Sequence, residues 1–404
     1  MKIVKVETTV VGAPWRELTF VEVETDEGLV GVGEVRMVNK TETLTTCIRE
    51  MAPRYAIGAD PFNVETLAWN VQRGEYGRAG EVAQSALAGM EIACWDIMGQ
   101  ALQVPVWKLL GGEFRKQAPA YANGWYQAGR DPVAIAELAS EVIERGYTAL
   151  KIDPFGAASM SIAPRDFRRS IEILEAVRER VGPDVEIFVE MHGRFAPDVA
   201  GRVARELEGC RPGWIEEPTP PESARALRRV REHTSLPIAT GERIHALAEF
   251  REFFEEGLVD IVQADLTHFG GFMSLKRLAG WALAYYLRLA PHNVCGPVGT
   301  MAALHFAVST PNFMVLEHFN DFADPWVQEL VDNPPAVGAD GCFDLPQRPG
   351  LGLKLDHDAC AEHPATGGRI NLFEPGWEQR GARRHGRSRD KATHDSFSAP
   401  DIRP

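Results

Sequence analysis

Apolar residues recur along the chain in two rhythms, and the rhythm changes near residue 117. Before it, residues 2–11, 18–25 and 29–35 read as strands. Asp26-Glu27-Gly28 is a turn signal between the last two, so this start is antiparallel in character. Residues 41–51 and 64–71 read as helices. Residues 83–102 read as a stronger one, with the stripe Ala83, Leu87, Met90, Cys94, Ile97, Met98 and Ala101 at helical spacing for core packing. Val104-Pro105 ends it. Gly31-Val32-Gly33 is a GxG fragment with no helix in the required place after it, which argues against a dinucleotide loop.

Beyond residue 117, short apolar runs alternate with helical stretches. The runs cover 118–122, 149–152, 186–189, 213–215, 238–240, 261–264, 287–290 and 314–316. Eight runs with seven helical patterns between them fit a parallel α/β barrel better than an open sheet. An open doubly wound sheet needs a glycine loop after its first strand, and Tyr121-Ala122-Asn123-Gly124-Trp125 is not one. The chain therefore divides into an α+β region at 1–117, a barrel at 118–324 and a Pro-rich segment at 325–375 that could fold back over the first region. A polar tail at 376–404, with five arginines between Arg380 and Arg389, reads as disordered.

Three of the runs close on an acid at one period: Glu190, Glu216 and Glu242 stand 26 residues apart. A strand, a helix and two loops take about 25 residues, so the period is that of successive βα units. A lone Glu at a strand end is ordinarily a solvated loop residue. Three in phase converge at the carboxyl end of a barrel, where they repel one another unless a cation sits among them. An all-oxygen ligand set suits Mg²⁺.

The other strand ends also carry ionisable groups. Asp265 and His292 lie one βα unit apart, so the Asp can fix the tautomer of the His and make it a general base. A single histidine is more often a satisfied structural residue; in this series the odds reverse. His192 stands two residues past Glu190, which directs its side chain to the same face, where it could protonate a leaving group. Lys151 offers a cation to a substrate carboxylate. Glu317 stands to orient a hydroxyl or support the leaving region. Together these groups fit removal of an acidified C–H proton, an enediolate held by the metal, and expulsion of a β-hydroxyl as water.

Composition narrows the partners. The 404 residues carry a net charge of −14, which excludes a general binder of nucleic acid or anionic membrane but leaves a small anionic substrate open. Six scattered cysteines without a CxxC pair read as free thiols in a reducing compartment. No apolar run approaches the roughly 18 residues of a membrane span, and the start Met1-Lys2-Ile3-Val4-Lys5 lacks a leader pattern. A cytoplasmic protein is the expectation.

The motif series Lys151-x-Asp153, Glu190-x-His192, Glu216-Glu217-Pro218, Gly241-Glu242, Asp265, Gly270-Gly271, His292 and Glu317 resembles the mandelate racemase branch of the enolase superfamily over residues 1–375. The resemblance implies a capping domain on a modified (β/α)7β barrel, one Mg²⁺ per subunit on Glu190, Glu216 and Glu242, and a His292–Asp265 base. It also implies a homo-oligomer. Asp153 stands where many members of this branch have a second lysine, which speaks against a two-base racemase. The segments at 121–127, 151–156 and 192–195 are similar to gluconate/galactonate dehydratases, in whose relatives the counterpart of His192 is the general acid. Dehydration of a six-carbon aldonate to a 2-keto-3-deoxy acid is the implied reaction. Pentonate dehydration and lactone cycloisomerisation are the alternatives within the superfamily. Asp153 stands to tune Lys151 or to bind a substrate hydroxyl, and Asn123, Arg194, Arg243 and His245 are further candidates for substrate contact. The cap loops at 14–16 and 73–78 are candidates for epimer choice.

Overall fold

The computed structural model describes residues 1–13, 16–367 and 369–379. Strands β1 (Ile3–Gly12), β2 (Glu17–Thr25) and β3 (Val30–Val35) form an antiparallel sheet, with Thr8 opposite Val21 and Val21 opposite Gly33. The helices Thr41–Met51, Val64–Gly74 and Glu81–Leu102 follow. On the last, the expected apolar stripe widens to the whole circumference: every residue from Gln84 to Gly99 is buried. The helix lies between the sheet and the barrel, so it has no solvent face to keep polar. Gly31 and Gly33 meet this helix so closely that a Cβ on either would strike the carbonyl of Ala93 or Gly89. The GxG fragment is thus a site of close sheet-on-helix approach.

The barrel strands are β4 (Gln117–Ala122), β5 (Ala149–Ile152), β6 (Glu186–Glu190), β7 (Trp214–Glu216), β8 (Ile238–Thr240), β9 (Ile261–Val262), β10 (Arg288–Leu289) and β11 (Leu316–His318). They pair in parallel in sequence order from β4 to β10, and β11 pairs with β4. A parallel bridge between Leu289 and Phe313 closes the ring; there the Met314 N–H donates to the Leu289 carbonyl at 2.7 Å. Each gap between successive strands contains a helix, from Pro132–Glu144 to Pro297–Val308, which gives the (β/α)7β order. Glu216, Glu317 and His318 lie within their strands, which run one or two residues past the ends expected from the apolar runs.

One side chain from each strand or its flank fills the barrel: Tyr121, Ala149, Phe188, Trp214, Ala239, Ile261, Ala290 and Val315. Phe188 and Trp214 stack with centroids 3.4 Å apart, and Tyr121 meets both edge-on. Alanines opposite this cluster leave it room, so the interior is packed and not a channel.

Two acids of the first domain grip barrel helices. Glu91 accepts from the backbone N–H groups of Phe272 and Met273, at 2.9 and 3.0 Å, at the start of helix Phe272–Ala284. Gly271, at φ +87°, brings that terminus so near that a Cβ would strike the Glu91 carboxylate. Glu34, on β3, accepts likewise from Gly296 and Gly299 at the start of helix Pro297–Val308. Positive helix ends hold both acids in place, although burial pushes each carboxyl up to about 7.

The C-terminal segment first runs under the barrel, where β12 (Cys342–Asp344) pairs antiparallel with the start of β4. It then crosses to the cap: the Gly12 N–H donates to the His363 carbonyl, and Asn39 exchanges two 2.8 Å hydrogen bonds with the Ile370 backbone. Residues 376–379, expected to belong to a disordered tail, are ordered. Trp377–Gln379 is a 3-10 turn, and Trp377 is buried, its indole donating to the Gly156 carbonyl at 3.1 Å. The rest of the expected tail, 380–404, lies outside the described residues. Among the described residues, no helix is long and apolar enough to cross a membrane.

Candidate active site

Glu190 closes β6, Glu216 closes β7 and Glu242 stands two residues past β8, so the three acids sit on adjacent strand ends. One oxygen from each falls within 4.8 Å of the others. Gly241 allows this: a Cβ there would lie 2.8 Å from the Ala264 nitrogen, and its φ is +143°. Burial, then the neighbouring Glu190, holds the Glu216 carboxyl well above the usual carboxylate range. Burial also pushes Glu190 up to about 7. Desolvation works in the same direction on the half-buried Glu242, but His292 and Arg243 draw it down to about 2. The buried Glu190 Oε2 has no hydrogen-bond partner. An all-oxygen triad in which one oxygen accepts no hydrogen bond and has only a 3.4 Å ion pair with Lys151 fits a hard divalent cation, which would relieve the repulsion.

Lys151, on β5, sits under this triad. Its Nζ lies 2.7 Å from Glu216, 2.9 Å from Glu317 and 3.4 Å from Glu190. Burial opposes its charge, but these acids hold the ammonium well above its ordinary range. Glu317 does not reach the cavity. Its Oε1 accepts from Lys151 and the Asn123 amide, and its Oε2 from the Asn293 N–H. Glu317 anchors Lys151, and the hydroxyl-orienting role expected for it has no free oxygen to act through. Asn123 lines the cavity, yet its amide is likewise committed to Glu317 and to the Gly124 N–H.

His192 reaches the cavity by a route that strand alternation does not describe. β6 has ended, and His192 takes a left-handed φ of +45° that turns its ring inward. Its Nδ1 lies 2.6 Å from Asp153 Oδ2, and Arg194 binds the same carboxylate. Both Asp153 and Arg194 are buried behind the cavity wall. Arg194 is further spent on the carbonyls of Met191, Gly156 and Ala158. Direct substrate contact, expected for both, is therefore corrected: Arg194 holds Asp153 and Asp153 holds His192. Burial raises the Asp153 carboxyl, but Arg194 and His192 outweigh it and leave it lowered.

On the opposite side, His292 Nδ1 lies 2.7 Å from Asp265 Oδ2, while its Nε2 lies 3.3 Å from Glu242. Thr267 donates both its N–H and its hydroxyl to the other Asp265 oxygen at 2.7 Å, which fixes the dyad. Burial opposes the charged ring; Glu242 and the Asp265 hydrogen bond prevail and raise it to about 9.

His192, His292, Glu190 and Glu242 open into one cavity of about 680 Å³, with Glu216 buried beneath it. Its walls include His245 and Arg243, as the sequence indicates, and Arg16 from the 14–16 loop. The 73–78 loop does not line it; the cap contributes Arg36, Val38, Asn39 and Glu81 instead. His268, Tyr126 and Trp377 also line it and carry no expectation from sequence. His268 had a signal, since it stands three residues past Asp265 on the same strand end; its ring, held by Ser85 at 2.9 Å, is pushed down to about 4 by burial. Arg36 and Trp377 had none, because nothing local tells how the cap and the returning segment sit on the barrel.

Comparison with known proteins agrees with this fold. Residues 4–111 match the mandelate racemase / muconate lactonizing enzyme N-terminal domain, and residues 134–359 match the enolase C-terminal domain-like family. A D-gluconate dehydratase of Thermoproteus tenax is 35% identical over 373 residues, covering 91% of this chain and 74% of that protein. A D-xylonate dehydratase of Haloferax volcanii is 35% identical, over 91% of this chain and 90% of its own length. A D-galactonate dehydratase of Klebsiella pneumoniae is 33% identical, over 90% and 94%. Among solved structures, a mandelate racemase/muconate lactonizing enzyme from Jannaschia sp. CCS1 superposes with a TM-score of 0.85 at 34% identity, over 91% of this chain and 99% of that one. The chain belongs to the mandelate racemase/muconate lactonizing enzyme family, with the enolase-like barrel of that family.

Proposed function

We propose that this protein dehydrates a sugar acid of the gluconate/galactonate type to a 2-keto-3-deoxy acid, with Mg²⁺ as its cofactor. The observation that carries the reading is the placement of two histidines, each backed by its own aspartate, on either side of the Glu190–Glu216–Glu242 triad. Dehydration needs one base and one acid at adjacent carbons, and neither binding nor single-base exchange needs both.

Glu190, Glu216 and Glu242 would hold the cation, which polarises the substrate carboxylate and so acidifies the C–H beside it. Lys151 adds positive charge beside that carboxylate. His292, with Nδ1 fixed by Asp265, offers Nε2 to the C2 proton. The electron pair of the C2–H bond forms C2=C3 as the C3–O bond breaks. His192 gives its proton to the departing hydroxyl, which leaves as water, and the enol product ketonises. The D-xylonate dehydratase relative keeps a five-carbon aldonate in view as the second reading.

The test is turnover of D-gluconate, D-galactonate and D-xylonate by the purified protein with Mg²⁺, read as 2-keto-3-deoxy acid. Formation of the keto acid, abolished by chelator and restored by Mg²⁺, is the expected result. Sugar acids that exchange the C2 proton with solvent but yield no keto acid would reject dehydration in favour of isomerisation.

A further inference from the structure

The cap wall of the cavity carries two arginines, Arg16 and Arg36, and both are more than nine-tenths buried. The buried Nε of each lacks a hydrogen-bond partner. Arg16 reaches the Cys295 carbonyl at 3.2 Å and the Asn320 amide oxygen at 3.4 Å, and it stacks over the Phe319 ring at 4.3 Å, which fixes its plane. No carboxylate forms an ion pair with either arginine among the described residues. Glu34 is the acid of β3 beside them, but its two oxygens are taken by the N–H groups of Gly296 and Gly299. Burial and the neighbouring Arg36 push Arg16 down to about 9, outweighing the upward pull of the more distant Glu34 and Glu317, neither of which pairs with it. Two desolvated guanidiniums at a cavity wall are costly unless the ligand brings the missing charge.

We propose that Arg16 and Arg36 form a second anion subsite, and that the enzyme takes sugar acids carrying a terminal carboxylate or phosphate in preference to those ending in a hydroxyl. This rests on the dehydratase reading and narrows its substrate class. One end of such a ligand is an α-hydroxy acid, which suits the triad and Lys151. The other meets a planar, bidentate donor pair. Hydroxyls alone would leave two buried positive charges uncompensated.

The experiment compares D-gluconate, D-glucarate and 6-phospho-D-gluconate with Mg²⁺, in the wild type, R36M and R36K. The expected result is a wild-type KM for one of the two terminal anions roughly ten- to hundredfold below that for D-gluconate, the value of a charged hydrogen-bonded contact. R36M should erase the gap and R36K should restore part of it. Preference for D-glucarate names a carboxylate, and preference for 6-phospho-D-gluconate names a phosphate. Equal KM values in the wild type, or a gap that survives R36M, overturn the subsite. If R36M fails to fold, the wild-type gap and its narrowing in R36K decide. If none of the three turns over, calorimetric binding of the same probes separates the two claims. A wild-type affinity gap that R36M abolishes upholds the subsite while the dehydratase reading falls; equal affinities reject the subsite itself.

Discussion

His192 Nδ1 lies 2.6 Å from Asp153 Oδ2, and Arg194 closes on the same carboxylate from behind. A ring nitrogen bound to a fixed anion carries its proton there, which leaves Nε2 facing the cavity. Asp153 thus orients the His192 ring. D153N should lower kcat about a hundredfold, the low end of what a positioned general acid contributes. KM should move less, and the pH profile of kcat should shift. An unchanged kcat would detach Asp153 from the acid.

H292N removes the proposed base and leaves the three-glutamate triad whole. Its kcat should fall by roughly 10² to 10⁴, with exchange of the C2 proton lost to the same extent. Mg²⁺ affinity by calorimetry should stay near wild type. Proton exchange that survives in H292N would move the base elsewhere.

Glu91 predicts a pH dependence of stability. Burial raises its carboxyl from 4.5 to about 7 in the folded chain. Between those values the folded state binds more protons than the unfolded, so stability is full below about pH 4.5 and falls as pH rises to about 7. The size is on the order of 3 kcal/mol. Denaturation midpoints measured at pH 5 and pH 8 should differ less in E91Q than in wild type. Glu34 has the same sign, so the variant curve flattens without becoming level.

The stacked pair inside the barrel gives a packing prediction. Trp214 is fully buried against Phe188 at 3.4 Å. W214A should cost about 3–5 kcal/mol, read by denaturant titration. It also removes the indole N–H that donates to Glu216 Oε2 at 3.0 Å, so Mg²⁺ affinity should fall with it. W214F, which keeps the ring but not the donor, separates the two effects.

The barrel was legible because its signals are local: an apolar run, an acid, and a repeat of 26 residues. The same locality exposed Glu190, Glu216, Glu242, Asp265 and His292, each placed by its own strand. Asp153 and Arg194 misled because strand phase says which end of the barrel a residue occupies and not whether its side chain is already engaged. The His192 turn, at φ +45°, decided that engagement by swinging the ring onto Asp153. Arg36, His268 and Trp377 come from three separated parts of the chain. Their meeting depends on Glu91, Glu34 and the Asn39–Ile370 pairing, contacts that span up to 331 residues and leave no trace in periodicity.

The Asn39–Ile370 pairing places the reacting volume partly in the custody of the segment that leads to Trp377. Beyond it, Trp377 stands edge-on to the His192 ring at 6.0 Å and to Tyr126 at 6.5 Å. A protein cut at residue 367 would retain every ionisable group of the triad and both dyads, yet bulk water would reach the acid from the side that the indole now covers. Trimming the end of this chain is therefore an experiment on the dryness of the active site, and one that no substitution within the barrel can imitate.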